Sequence, residues 1–270
     1  GPATVIFGDS FETYSSTSDM LSRSGGARNH WKAYEETSSE SIDLVSWPYH
    51  SPGHAVLIQH LDAVPGADHE ATFYYNLPIA HTREQPLISQ SGWVSFTGEE
   101  NVRLDFQNQD WVGTNETHYG VTNVLLTGEI QYWGDIKCWR FSRKSGSGYE
   151  ETTFSHPIDY TGDLDTWHYF RLIVDYGKKE YVSFQFDNDI WDLTGQPIPI
   201  IEGYGWEGLL PTIDVNIRLL ELPWDRQPAQ PWTARWAVDD VALALEYCYS
   251  PGDFNHDCRF NLLDFAALAS

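Results

Sequence analysis

The chain is poor in sulfur and in positive charge. Of its 270 residues, 3 are Cys and 1 is Met. Three cysteines cannot supply the disulfide framework of a small secreted scaffold. The chain must therefore fold by burying apolar surface, and at this length it can bury a substantial core. No run of about 18 apolar residues occurs, so no segment reads as a membrane-spanning helix. No leader is visible either, and Gly1-Pro2-Ala3 reads as a processed start or an added scar. Lys and Arg number 16 against 39 Asp and Glu, a formal net charge of −23. Such a field repels phosphate backbones, excludes nucleic acid as a natural partner and favours cations. Helical periodicity is nearly absent before residue 261, apart from a short stretch at residues 16–21.

What the chain does have is aromatic residues and period-two alternation. Aromatics reach 15%, with 12 Trp and 15 Tyr, enough for a β-rich core or for a sugar-stacking surface. Val102, Leu104 and Phe106 alternate with polar residues, as do Ile130 and Tyr132. Ile213, Val215, Ile217 and Leu219 form the cleanest run, and Val241, Leu243 and Leu245 close the set. These patterns predict strands with one buried face. Asp187-Asn188-Asp189 falls between two such runs and predicts a hairpin. The expected fold class is all-β, an antiparallel two-sheet sandwich over residues 1–246. Cys138 alternates within a strand pattern and is expected to be a buried free thiol. Cys248 and Cys258, ten residues apart, are expected to pair.

Residues 247–270 form a separate unit. With Asp253 as loop position 1, oxygen side chains fall at positions 3 (Asn255), 5 (Asp257), 9 (Asn261) and 12 (Asp264). Arg259 at position 7 would offer its backbone carbonyl. This spacing lets a tight loop wrap one Ca2+. Leu262, Leu263, Phe265 and Leu268 then give an apolar helical face. The segment resembles one half of a dockerin-type repeat, a calcium loop followed by a helix, with Pro251-Gly252 in place of an entering helix. Two departures stand out. Position 6, where Gly is usual, is Cys258, and one repeat is present where dockerins carry two.

The opening Phe7-Gly8-Asp9-Ser10-Phe11-Glu12 and the late Trp236-Ala237-Val238-Asp239-Asp240-Val241 resemble the first and last strands of concanavalin-like (laminin-G-like) jelly rolls. That resemblance implies a jelly-roll fold shared by lectins, carbohydrate-binding modules, glycoside hydrolases and polysaccharide lyases. With the dockerin-like tail it also implies an extracellular setting, secreted or at the cell surface. The expected ligand is a polysaccharide or other glycan. The expected contacts are the loop-like aromatics Trp47, Tyr49, Trp111, Tyr204, Trp206 and Trp224, whose faces can stack on pyranose C–H groups. Trp139, Trp167 and Trp236 are assigned to the core.

A retaining glycosidase needs two carboxyls roughly 5–5.5 Å apart, and no Glu here is followed two residues later by Asp. A lyase set can be drawn from His60, Arg103, Gln107, His118 and Tyr119, but the net charge opposes a polyanionic substrate. Asp187, Asp189 and Asp192 are read as solvated turn residues. The sequence thus favours a calcium-stabilised, non-catalytic glycan-binding module. Polysaccharide cleavage on the same fold and surface assembly or self-association are the alternatives.

Overall fold

The computed structural model describes residues 3–21, 31–77, 87–112, 119–145, 148–160, 162–202 and 213–246. Tyr204, Trp206, His118, the calcium loop from Asp253 to Asp264 and the Cys248–Cys258 pair lie outside the described residues.

The described residues form strands β1 (Thr4–Asp9), β2 (Trp31–Glu35), β3 (Glu40–Val45), β4 (Ala55–Ala63) and β5 (Glu70–Leu77). There follow β6 (Leu87–Thr97), β7 (Val102–Val112), β8 (Val124–Trp133), β9 (Cys138–Ser145) and β10 (Gly148–Thr153). The last are β11 (His168–Asp175), β12 (Glu180–Phe186), β13 (Asp189–Asp192), β14 (Ile200–Glu202), β15 (Ile213–Glu221) and β16 (Trp232–Leu245). One helical turn, α1 (Thr17–Met20), falls where the sequence suggested it. Its N-cap Ser16 accepts the Asp19 amide at 3.0 Å.

Two antiparallel sheets result. Sheet I runs β13-β12-β11-β6-β16-β4-β3, with β1 also on β16. Sheet II runs β10-β9-β8-β7-β15-β5-β2, with β14 also on β8. The expected two-sheet jelly-roll sandwich is what forms. The first and last strands of the body pair with each other, Thr4 opposite Leu245 and Asp9 opposite Val241.

The core lies between the sheets and is built by the alternation read from the sequence. From sheet II, Phe106, Ile213, Val215, Ile217 and Leu219 are fully buried. From sheet I, Phe170, Leu172, Trp236, Val238 and Val241 are too. Phe106 of β7 stacks on Phe170 of β11, ring centroids 3.9 Å apart, and joins the two layers. Each such side chain contributes roughly 1.5–3 kcal/mol by leaving water. Trp139 and Trp236 are core residues as expected, and Cys138 is a buried free thiol. Trp167 departs from its assignment. It is only partly buried, just ahead of β11, and faces a surface cavity.

Strict alternation fails on β12. Opposite the step from Ile173 to Val174 of β11, β12 carries an extra residue, Val182, so Tyr181 and Phe184 both point inward. Tyr181 then crosses the core. Its hydroxyl donates to the Ser142 carbonyl at 2.6 Å and receives the Glu129 amide at 3.0 Å. A side chain of sheet I thus joins β8 to β9 in sheet II.

The turn after β8 is held by contact with the short segment before β7. Gly134 donates its amide to the Val102 carbonyl at 3.1 Å, and a Cβ on Gly134 would overlap the Glu99 carbonyl. Gly134→Ala is expected to cost about 3 kcal/mol or more. Thermal melting of the purified variant checks this, and an unchanged melting temperature would contradict the close approach.

Candidate functional site

The outward face of sheet II is where chemistry concentrates. Alternation puts Arg103, Asp105, Gln107, Gln109 and Trp111 of β7 on that face. The register aligns them with neighbours. Asp105 sits opposite Arg218 of β15 and Gln131 of β8, and Gln107 opposite Asn216 and Glu129. Asn216 in turn faces Tyr74 of β5, which faces Lys32 of β2.

These side chains are tied into one polar layer. Trp133 Nε1 donates to Gln131 Oε1 at 2.8 Å, and Gln131 Nε2 to Glu129 Oε1 at 2.6 Å. Arg218 Nη2 donates to Glu129 Oε1 at 2.9 Å and also to Asp105 Oδ2. Asn216 donates to Gln109 Oε1 at 2.9 Å, and Gln109 to Gln107 at 3.1 Å. The layer runs from Trp133 at one end of β7 to Trp111 at the other, eight residues or roughly 27 Å along the strand. Three guanidinium groups gather on Trp133, those of Arg140, Arg226 and Arg103, at 4.4, 4.7 and 5.3 Å from its ring centroid.

At the centre, two carboxyls share one guanidinium. Asp105 is fully buried, and its Oδ1 has no hydrogen-bond partner among the described residues. Burial outweighs the pull of Arg218 and, with Glu129 alongside, raises the Asp105 carboxyl well above the usual range. Burial also opposes charge on Glu129. There Arg218 and hydrogen bonds from Asp105, Gln131 and Ser142 win, and its carboxyl lies below the usual range. Arg218 stays cationic, held by Asp105, Glu129 and Glu70 against its own burial. The two neighbouring carboxyls are thus driven in opposite directions, Asp105 upward and Glu129 downward. Glu129 and Arg218 open onto a depression of about 390 Å³, whose walls carry Glu36, Asp68, Glu70, Glu151 and Glu221.

The lyase set that can be drawn from the sequence does not come together among the described residues. Arg103 and Gln107 lie on this face, but His60 is fully buried on the inner side of β4, against His69 and Trp232. Burial first and the neighbouring His69 second lower the His60 imidazole to about 3, so it stays neutral. Tyr119 packs on the core and is not on the face. Asp187 sits in the β12–β13 turn and is partly exposed, as expected, but it also makes structural bonds. It accepts His168 Nδ1 at 2.6 Å and the Tyr169 amide at 2.9 Å, closing the β12–β13 hairpin onto β11.

The aromatic candidates separate. Trp111 sits in β7, at the end of the polar layer, and not in a loop. Trp224 is 84% exposed, on the segment after β15, two residues before Arg226, whose guanidinium lies over Trp133. Trp47 and Tyr49 are exposed elsewhere, on the segment after β3 that ends at His50. His50 stacks on Trp93 of sheet I at 4.0 Å. Beside it a cavity of about 550 Å³ is lined by Trp93, Trp167, Tyr169 and Asn188.

A group that could hold a metal ion also lies here. Ligand atoms of His50, Asp239 and Asp240 all fall within 4.8 Å of one another. Asp239 Oδ2 already accepts the His50 and Ser51 amides, both at 2.9 Å, so part of its capacity is spent on fixing that loop. Two carboxylates suit Ca2+, whereas the imidazole suits a transition ion better.

The sequence reading missed Asp105, Glu129, Gln131 and Arg218. A signal was present in the alternation itself, since Arg103, Asp105 and Gln107 share the polar parity of β7, as Asn216 and Arg218 do on β15.

No family model matches the chain, and no curated protein matches it. Solved structures do match. An endo-β-1,4-glucuronan lyase from the fungus Trichoderma reesei aligns with a TM-score of 0.54 at 11% identity, over 91% of this chain and 97% of that one. A glycoside hydrolase family 16 endo-glucanase from Bacteroides ovatus aligns with a TM-score of 0.46 at 9% identity, over 88% of this chain and 100% of that one. At such identities the likeness is one of fold, and the chain shares its jelly-roll architecture with the Trichoderma lyase.

Proposed function

We propose that the chain is an extracellular polysaccharide-cleaving protein whose substrate lies across the outward face of sheet II. The observation that carries this reading is the split between two neighbouring carboxyls around Arg218. The Glu129 carboxyl is driven down, that of Asp105 is driven up, and Glu129 lines the depression. Environments that drive adjacent acids apart are the arrangement acid–base chemistry uses. In this reading Glu129 accepts the proton of the attacked water or sugar carbon and returns one to the departing glycosidic oxygen. Asp105 and Arg218 are positioning residues that set its charge. The amides of Gln107, Gln109 and Asn216 suit sugar hydroxyls, and Trp111 and Trp224 mark the ends of the bound chain.

The test is a panel of neutral, amine-bearing and uronate polysaccharides, read for new reducing ends and for ultraviolet absorbance of unsaturated products. Reducing ends alone mean hydrolysis, and both signals mean elimination. Absence of product from every polymer would overturn the reading.

Non-catalytic glycan binding is the second reading. It is favoured by the aromatic cavity of Trp93, Trp167 and Tyr169, beside His50 of the segment that also exposes Trp47 and Tyr49. Binding without product would select it.

Calcium belongs to the proposal as a structural ion, held by the loop from Asp253 to Asp264. His50, Asp239 and Asp240 are a second place where an ion would stabilise the body. A chelator is expected to lower the melting temperature by at least about 5 °C, as loss of an ion bound well below its working concentration would. An unchanged melting temperature would remove the metal from the account.

A further inference from the structure

We infer that the aromatic cavity on the outward face of sheet I is a second glycan site, built for a neutral pyranose chain, that works beside the sheet II groove and not in place of it. This goes beyond the cleavage proposal, because such a site tethers the molecule to a polymer and does no chemistry.

Parity places the cavity. Val94 and Phe96 of β6 and Phe170 and Leu172 of β11 point into the core. Trp93 and Tyr169 are one residue out of step with them and face outward. They are direct cross-strand partners, with ring centroids 5.4 Å apart. The His50 ring lies flat on Trp93 at 4.0 Å, and Trp167 meets His50 edge-on at 5.9 Å. These rings stand around a space of about 550 Å³. Small-molecule sites typically measure about 300–1,000 Å³. The whole core separates this space from the outward face of sheet II, so one stretch of glycan cannot occupy both.

An independent sign comes from the polar wall. The Asp187 amide donates to the Tyr169 carbonyl at 2.8 Å, and the Tyr169 amide donates back to Asp187 Oδ1 at 2.9 Å. His168 Nδ1 donates to Asp187 Oδ2 at 2.6 Å. The carboxylate is thereby fixed beside the Tyr169 ring, yet its side chain is still 36% exposed. Each carboxylate oxygen can accept two hydrogen bonds, which leaves capacity for a sugar hydroxyl. Asn188, the next residue, is exposed and adds a carboxamide to the same wall. A pyranose needs this pairing, a flat aromatic face for its C–H groups and fixed polar atoms for its hydroxyls. Because ring and carboxylate are already locked together, little ordering is left for the ligand to impose. Charge narrows the choice of glycan. Among the described residues no Lys or Arg lines the cavity, whereas Asp187 does. A uronate would set its carboxylate beside that of Asp187 with no cation between them.

The experiment is calorimetric titration of the whole protein with cellohexaose, a β-1,3-glucan hexasaccharide, a β-1,4-mannan hexasaccharide and a glucuronic acid hexasaccharide. At least one neutral probe is expected to bind more tightly than the uronate. Trp167→Leu keeps apolar bulk but has no flat face, and with Asn188→Ala it should weaken that binding about three- to ten-fold, the worth of a stacked ring. Asn188→Ala alone alters one exposed turn side chain, and should weaken it about two- to ten-fold, the worth of a hydrogen bond, should the double variant not fold. Unchanged affinity in the variants, binding of none of the neutral probes, or preference for the uronate would each overturn the inference. Polymer cleavage is assayed separately. Its absence would overturn the groove reading and leave this site standing, so the two fail separately.

Discussion

Arg218→Met should destabilise the fold by about 3–5 kcal/mol at neutral pH, the cost of leaving a largely buried carboxylate without its counter-ion. In the wild type Arg218 contacts Asp105 and Glu129 and lies 3.8 Å from Glu70. The pH dependence follows from the two shifts. Glu129 has a lowered folded pKa, so its contribution is present above its unfolded value of about 4.3 and is lost as pH falls through the folded one. Asp105 has a raised folded pKa and acts in the opposite sense. It opposes folding increasingly as pH rises from its unfolded value, about 3.9, toward the folded one. In the variant both acids are buried without a cation, and both are best tolerated protonated. The loss relative to wild type should therefore be largest near pH 7 and smaller near pH 4.5. Denaturant unfolding at the two pH values measures it. An equal loss at both, or one below about 1 kcal/mol, would mean that the cluster is not ionic.

Glu129→Gln should lower the rate of polysaccharide cleavage about 10²- to 10⁴-fold, the span that a positioned acid–base group contributes. Gln can still accept from Gln131 Nε2 through its carbonyl oxygen, and it keeps the volume of the side chain. The melting temperature should move far less than the rate. The loss should appear in kcat and not in KM, because the ionised oxygen is needed for proton transfer while the amide face and the end tryptophans hold the chain. Wild-type turnover in this variant would remove Glu129 from the chemistry.

The fold was legible because alternation reports which face meets the core. The run Ile213, Val215, Ile217, Leu219 and the two terminal strands were readable in advance, whereas their pairing with each other came from the structure. The phase slip at β12 was not. A bulge is an extra residue in a pairing, and pairing is not visible in one strand's sequence. The site was harder for a related reason. Asp105, Glu129 and Arg218 are 24 and 89 residues apart along the chain and meet only through register across three strands. A search for two acids spaced along one strand passes over them. His60 failed in the other direction, since its residue type suggested chemistry whereas its parity placed it inward, neutral, against Trp232. Trp111 looked like a loop residue because Gly113 follows it closely, yet the strand continues to Val112.

Tyr181 gives the sandwich a mechanical property. Its hydroxyl is keyed into the backbone of Glu129 and Ser142 from the opposite layer. The two layers therefore cannot shear past each other without tugging the peptide that carries Glu129. Strain applied on the far side of the molecule, where β11 and β12 lie, is transmitted by one phenol ring to the groove.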